Sequence, residues 1–113
     1  MTVIIIHNPR CSKSRRALEI LESKGVPLTV VKYLDNPLSE NELKDLQKKL
    51  GLEPQKWLRS KEAKWKELNI DPSDSAKVTA AMAANPILIE RPIVVVDQKA
   101  VVARPPEKLE ELF

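Results

Sequence analysis

The chain has 113 residues, of which 42% are hydrophobic and 31% are charged, and this size and balance predict a single compact domain over residues 1–113. Nineteen Lys and Arg residues against sixteen Asp and Glu give a net charge of +3, too small an excess to indicate nucleic-acid binding. No apolar run approaches the roughly 20 residues that a membrane-spanning helix needs, and the N-terminus does not resemble a secretory signal. We therefore expect a cytoplasmic protein with neither a membrane nor a nucleic acid as partner. The single cysteine excludes an intramolecular disulfide, so redox chemistry would need a thiol from another molecule.

The first third of the chain predicts a strand, a helix and a second strand. Residues 2–6 form a continuous β-branched run typical of a buried strand. Apolar residues recur at helical spacing over 12–24, and Gly25 supplies a helix stop. Residues 28–33 are again rich in Val and Leu. A β-α-β unit of this length predicts two parallel strands.

The rest of the chain predicts a helical insertion followed by a hairpin. Ser39 and Glu42 have the spacing of a capping box, and the helix that they begin ends at Gly51. Short helices follow at 54–58 and at 61–68, and a longer one runs from Ser73 or Asp74 to Asn85. Strands at 93–96 and 100–103, linked by residues 97–99, predict an antiparallel hairpin, and a final helix is expected from the prolines at 105–106 to residue 112. The order predicts an α/β fold with a four-stranded mixed sheet and a helical insertion at about 38–85.

Cys11 lies between the first strand and the first helix. Open α/β sheets bind ligands at this carboxyl edge of their strands. The helix N-terminus and the basic side chains of Arg10, Lys13, Arg15 and Arg16 should favour the thiolate, so we expect a lowered pKa. The alternative is a cysteine that serves only as a small apolar side chain, with solvent ions near the four cations.

The same loop also predicts an anion site. Asn8, Ser14 and Arg15, together with His7, offer amide, hydroxyl, guanidinium and imidazole groups within one helical turn of Cys11. A phosphatase-type loop is excluded because the position six residues after the cysteine is Ala17 rather than arginine. One cysteine and one histidine cannot build a zinc site, so no metal is expected.

The run HNPRCSKSR at 7–15 resembles the signature loop of the glutaredoxin-linked arsenate reductase family, which has a thioredoxin-like fold with a helical insertion. The resemblance continues in the same order through YLDNP at 33–37, LR at 58–59, NPILIERPIVV at 85–95 and RPPE at 104–107. It therefore spans nearly the whole chain.

The resemblance implies a set of catalytic residues. The family's nucleophilic cysteine falls on Cys11, its three oxyanion-binding arginines fall on Arg59, Arg91 and Arg104, and its supporting histidine falls on His7. It also implies that Pro92, before the third strand, follows a cis peptide bond.

The resemblance further implies a reaction in arsenic detoxification. Cys11 displaces water from arsenate or a similar oxyanion, glutathione attacks the adduct, arsenite leaves, and glutaredoxin clears the remaining mixed disulfide. Glutathione is then a co-substrate, glutaredoxin is a partner, and no tightly bound cofactor is required.

Two other functions remain open at this point. A redox-responsive regulator of the Spx type shares the fold and binds RNA polymerase, but such sensors typically carry a Cys-x-x-Cys pair, and here the second position is Ser14. A general glutathione-dependent thiol oxidoreductase would need only Cys11, and the three arginines could then hold the carboxylates of glutathione.

Overall fold

The structure is a computed structural model and describes residues 1–113. The strands are β1 Val3–His7, β2 Leu28–Lys32, β3 Ile93–Val96 and β4 Lys99–Val102. The α-helices are α1 Ser12–Ser23, α2 Glu40–Leu50, α3 Ala63–Leu68 and α4 Ser75–Ala84. Segments of 3₁₀ helix cover Pro54–Trp57, Pro86–Leu88 and Pro106–Leu112. None of these helices has the length and apolar character needed to cross a membrane.

The four strands form one mixed sheet in the order β2-β1-β3-β4. The inner strand β1 pairs in parallel with β2, Val3 facing Leu28, and pairs antiparallel with β3, Val3 facing Val96. The outer strand β4 completes an antiparallel hairpin with β3. The four-stranded mixed sheet expected from the sequence is therefore confirmed.

The chain forms two compact units, residues 1–36 with 91–113 and residues 37–90. The predicted insertion at about 38–85 falls inside the second unit, and a single domain stays a prediction. In the first unit, α1 and the C-terminal 3₁₀ helix contribute to one apolar core with strands β1 and β3. Its buried members are Val3, Ile5, Ala17, Leu21, Val94, Val96, Ala103 and Leu109.

The second unit is helical and its ends are set by local chemistry. The predicted capping box is present, since the Ser39 side chain accepts from the Glu42 N–H and Glu42 accepts from the Ser39 N–H. Gly51 ends α2 with a φ of 67°, a left-handed conformation that glycine adopts without steric cost. Asp74, not Ser73, caps α4 by accepting from the Lys77 N–H. The buried large residues of this unit include Leu43, Trp57, Val78, Met82 and Leu88.

One element near the C-terminus differs from the sequence prediction, and a second is defined more closely. The hairpin link is one residue shorter, because Asp97 adopts a φ of 52° and lets Lys99 pair with Val96. The expected final helix is present as a 3₁₀ helix, a type that the sequence did not distinguish from α. Its apolar residues Leu109 and Leu112 both meet the core and are three residues apart, which matches the three residues per turn of a 3₁₀ helix.

Candidate active site

The Cys11 loop joins the end of β1 to the start of α1. Cys11 is the N-cap residue of α1 and has extended backbone angles. Its N–H donates to the Asn8 carbonyl at 3.0 Å, and its carbonyl accepts from the Arg15 N–H at 2.9 Å. The loop is thus tied to both the strand and the helix, and the thiol stands at the helix N-terminus, as the sequence predicted.

The Cys11 thiol has a lowered pKa. Partial burial raises the pKa, but hydrogen bonds from the backbone N–H groups of Ser14 and Lys13 lower it. The charge of Arg91 and a side-chain hydrogen bond from Arg91 lower the pKa further. The direction of the predicted shift is confirmed. Its physical source lies in the helix N-terminus and in Arg91.

Two of the four basic side chains that were expected to favour the thiolate have other contacts. Arg15 donates from Nη1 to the Pro9 carbonyl at 3.0 Å, which braces the loop. Arg16 lies with Nη1 3.4 Å from Oε2 of Glu19 on the exposed side of α1. The cationic side chain that lowers the pKa of Cys11 is Arg91, and a contribution from the four basic side chains near the loop stays a prediction.

Arg91 brings buried donors without partners to Cys11. It lies two residues before β3, and the Arg91–Pro92 peptide bond is cis, as the resemblance implied. Its Nε and Nη1 nitrogens are buried and have no hydrogen-bond partner in the protein. Buried polar groups are nearly always hydrogen-bonded, and an unsatisfied one costs about 1–3 kcal/mol. Two such donors beside a thiolate suit an anion with several oxygen atoms.

Arg104 lies next to Arg91 after strand β4. Its Nη1 donates to the main-chain carbonyl of Arg91 at 2.9 Å, and a second cis bond joins Arg104 to Pro105. The structure thus brings Arg91 and Arg104 together near the same end of the sheet, although 13 residues separate them.

His7 and Ser14 form a buried pair under the loop. His7 Nδ1 lies 2.6 Å from Ser14 Oγ, which also accepts from the Asn8 N–H at 3.0 Å. Burial lowers the pKa of His7, and the charges of Lys32 and Arg15 lower it further against an opposing effect of Glu22. His7 is therefore neutral near pH 7.

This pair also fixes the side chain of Ser14. The side chain is fully buried and its hydroxyl contacts His7 and Asn8, so anion binding by this hydroxyl stays a prediction. The backbone N–H of Ser14 donates to Cys11. Asn8 is turned back on the loop in the same way, since its Oδ1 accepts from the Arg10 N–H at 3.0 Å. Direct oxyanion binding by Asn8 and Arg15 stays a prediction.

Arg59 belongs to the second unit and follows the 3₁₀ helix at Pro54–Trp57. Its N–H donates to the Leu88 carbonyl at 2.7 Å, next to a β-bridge between Leu58 and Ile89. Its Nη1 lies 2.8 Å from Oε1 of Glu62. The expected meeting of Arg59 with Cys11 stays a prediction.

Comparison with known proteins bears on this arrangement. The model of the ArsC family matches residues 6–112 of the chain. This chain belongs to the ArsC family.

Relatives of this ArsC family member match it over nearly their whole length. An arsenate reductase of Neisseria meningitidis serogroup A is 50% identical over 112 residues, which cover 96% of this chain and 96% of the relative. An arsenate reductase of Haemophilus influenzae is 44% identical over 116 aligned positions, with full coverage of both chains. The solved structure of an arsenate reductase from Vibrio cholerae has a TM-score of 0.94 at 46% identity and covers 100% of this chain and 98% of that chain. The family resemblance and the α/β fold expected from the sequence are both confirmed.

Sequence reasoning about this ArsC family member missed Glu62. The spacing of Arg59 and Glu62, three residues apart, is typical of an ion pair on a helical turn and could have indicated their contact. The partnerless nitrogens of Arg91 had no sequence signal, because they depend on how distant segments pack.

Proposed function

We propose that this protein reduces arsenate to arsenite through a covalent adduct on Cys11, with glutathione and glutaredoxin as the thiol donors. The observation that carries the proposal is the pairing of a thiol of lowered pKa with Arg91, whose Nε and Nη1 are buried and without partners. Membership of the ArsC family and the names of the relatives support arsenate as the oxyanion.

Arsenate is a tetrahedral anion at neutral pH, and a planar guanidinium can donate two parallel hydrogen bonds to it. Arg91 supplies such donors from a position beside the nucleophile. Arg104, held against the Arg91 carbonyl, and Arg59 act with it on the remaining oxygen atoms. In this proposal His7, Asn8, Ser14 and Arg15 keep the loop and its helix N-terminus in place.

The first step forms a bond between sulfur and arsenic. The Cys11 thiolate attacks arsenic, and one oxygen of arsenate takes up protons and leaves as water. The thiolate is the attacking form, so its lowered pKa supplies the nucleophile near neutral pH. Arsenic is still pentavalent in this adduct.

The second step reduces arsenic. The thiolate of glutathione attacks the Cys11 sulfur of the adduct, a disulfide bond forms, and the electron pair of the broken sulfur–arsenic bond stays on arsenic. Arsenic thereby gains two electrons and leaves as arsenite, while Cys11 and glutathione together lose two. A glutaredoxin thiol then attacks the glutathione sulfur and releases the Cys11 thiolate.

The single cysteine supports an external reductant. An intramolecular disulfide cannot form, so the second thiol must come from another molecule. A small thiol and a disulfide-exchange protein meet this requirement.

A coupled assay tests the proposal. NADPH consumption is followed with glutathione, glutathione reductase and glutaredoxin, adding arsenate to one sample and a small mixed disulfide to another. We expect arsenate-dependent consumption that the Cys11→Ser variant lacks, together with a stoichiometric yield of arsenite. Turnover of the mixed disulfide with none of arsenate would overturn the proposal in favour of a general thiol oxidoreductase.

A further inference from the structure

The nitrogens of the Arg59 guanidinium differ in their contacts with the protein. Its Nη1 lies 2.8 Å from Oε1 of Glu62 and donates to the Ile87 carbonyl at 3.3 Å. Both of these contacts use Nη1, which leaves Nε and Nη2 outside them. These two nitrogens form the edge with which an arginine grips a planar pair of oxygen atoms.

The Glu62 side chain forms an ion pair with Arg59 and does not cap its own helix. It is the N-cap residue of α3, yet its side chain makes no capping hydrogen bond. The ion pair is also well covered, with side-chain exposures of 23% for Arg59 and 26% for Glu62. The pair between Lys64 and Glu67 in the same helix is 3.8 Å long and far more exposed, as is usual for pairs of little energetic weight.

The backbone of Arg59 is fixed independently of its side chain. The Arg59 N–H donates to the Leu88 carbonyl, and the Arg59 carbonyl accepts from the Glu62 N–H at 3.1 Å. What remains is the torsional freedom of a long side chain, whose ordering costs conformational entropy. Contacts that order the side chain before a ligand arrives remove that cost from binding.

We infer that Glu62 is the positioning residue of Arg59: its carboxylate, with the Ile87 carbonyl, holds Nη1 and leaves the Nε and Nη2 edge available to an oxyanion. The inference rests on the proposed function, which gives Arg59 an oxyanion to bind. Glu62 touches no substrate in this scheme and acts only through Arg59.

Three substitutions separate the geometry of Glu62 from its charge. Glu62→Ala removes the contact. Glu62→Gln keeps an oxygen acceptor at the same reach. Glu62→Asp keeps the charge but withdraws it by one methylene, and aspartate is a favoured N-cap residue, so this variant should cap α3 while releasing Arg59.

The primary readout is the apparent dissociation constant of inorganic phosphate, measured as protection of Cys11 from iodoacetamide without any thiol present. We expect Glu62→Ala and Glu62→Asp to weaken phosphate binding about 5- to 10-fold, and Glu62→Gln to stay within about threefold of wild type. Steady-state kinetics should show the same order in the KM for arsenate, with smaller changes in kcat. Glu67→Ala is the matched control and should change neither the dissociation constant of phosphate nor the KM for arsenate.

A double-mutant cycle identifies the route of the effect. In an Arg59→Ala background, Glu62→Ala should cause no further loss of phosphate binding. Equal losses in both backgrounds, or full binding by a stably folded Glu62→Asp variant, would overturn the inference. Unchanged binding in Arg59→Ala alone would also overturn it. If wild-type protein turns over no arsenate while the cycle on phosphate holds, the proposed function fails and the role of Glu62 stands.

Discussion

The partnerless donors of Arg91 are expected to bind the oxyanion but to lower the free energy of unfolding of the protein. Replacing Arg91 by Met keeps a long, flexible side chain but removes the guanidinium. We expect Arg91→Met to lose most arsenate reduction and yet to unfold less readily than wild type. Most substitutions at a half-buried position destabilise a protein, so the opposite sign is a specific outcome.

The contacts of Arg91 set the expected changes in the free energy of unfolding and in kcat/KM. Two buried unsatisfied donors cost about 1–3 kcal/mol each. Their removal is offset by the lost hydrogen bond to the Cys11 thiolate, which is worth less than the usual 1.5–3 kcal/mol of a charge-assisted bond because water screens a half-exposed thiol. We therefore expect a net gain of about 1–3 kcal/mol in the free energy of unfolding. For the reaction, losing the first of the two charge-assisted bonds to the oxyanion already lowers kcat/KM by roughly 10- to 150-fold, and losing the second lowers it further.

The gain in stability should depend on pH. The pKa of Cys11 is lowered in the folded state, so its interaction with Arg91 stabilises wild type fully above the unfolded thiol pKa of about 8.5 and is lost as the pH falls through the folded pKa. The advantage of Arg91→Met should thus be largest at acid pH and shrink as the pH rises toward 8.5.

Urea unfolding across this pH range measures the effect, with the coupled assay for activity. Lys64→Met, at an exposed and weakly paired lysine, is the control and should leave both quantities within error. A clear loss of stability in Arg91→Met at acid pH would refute the reasoning, since it would mean that the guanidinium is satisfied within the folded protein.

Three further outcomes follow from the same site and its surroundings. Alkylation of Cys11 should have a pH midpoint below the ordinary thiol value of about 8.5, and a midpoint at or above that value would contradict the lowered pKa. Ser14→Ala should lower the free energy of unfolding by about 1–3 kcal/mol, because it leaves the Asn8 N–H and His7 Nδ1 unpaired under the loop. Thermal melts measure this loss, and an unchanged melting temperature would show that water replaces the hydroxyl. Ser39→Ala removes the capping box of α2 and should cost about 1 kcal/mol with unchanged kcat/KM, whereas a loss of specific activity in folded protein would tie α2 to the reaction.

Local physics made most of the fold predictable. The β-branched runs that became β1 and β3 are continuous and short, and the capping box at Ser39 needs only residues within one turn. The difference in the hairpin arose from one residue, Asp97, whose left-handed conformation no periodicity reveals. The 3₁₀ form of the last helix was set by spacing against the core rather than by propensity.

The site was predictable in composition more than in geometry. The direction of the Cys11 pKa shift followed from the helix N-terminus, which is a local feature. Arg91 was credited with oxyanion binding through resemblance alone, and its effect on the thiol depends on a contact between distant segments. Hydroxyl type and spacing placed Ser14 among the expected oxyanion ligands, but they did not indicate that its side chain is buried against His7 and Asn8.

The hydrogen bond between Arg104 and the main chain of Arg91 affects how the site can evolve by substitution. Arg104 holds the main-chain carbonyl of Arg91, and every residue type carries that carbonyl. A substitution at position 91 therefore removes one guanidinium without dislodging the other. In the proposed site, single substitutions at position 91 therefore change one oxyanion-binding side chain at a time, while Arg104 keeps its hydrogen bond to the main chain.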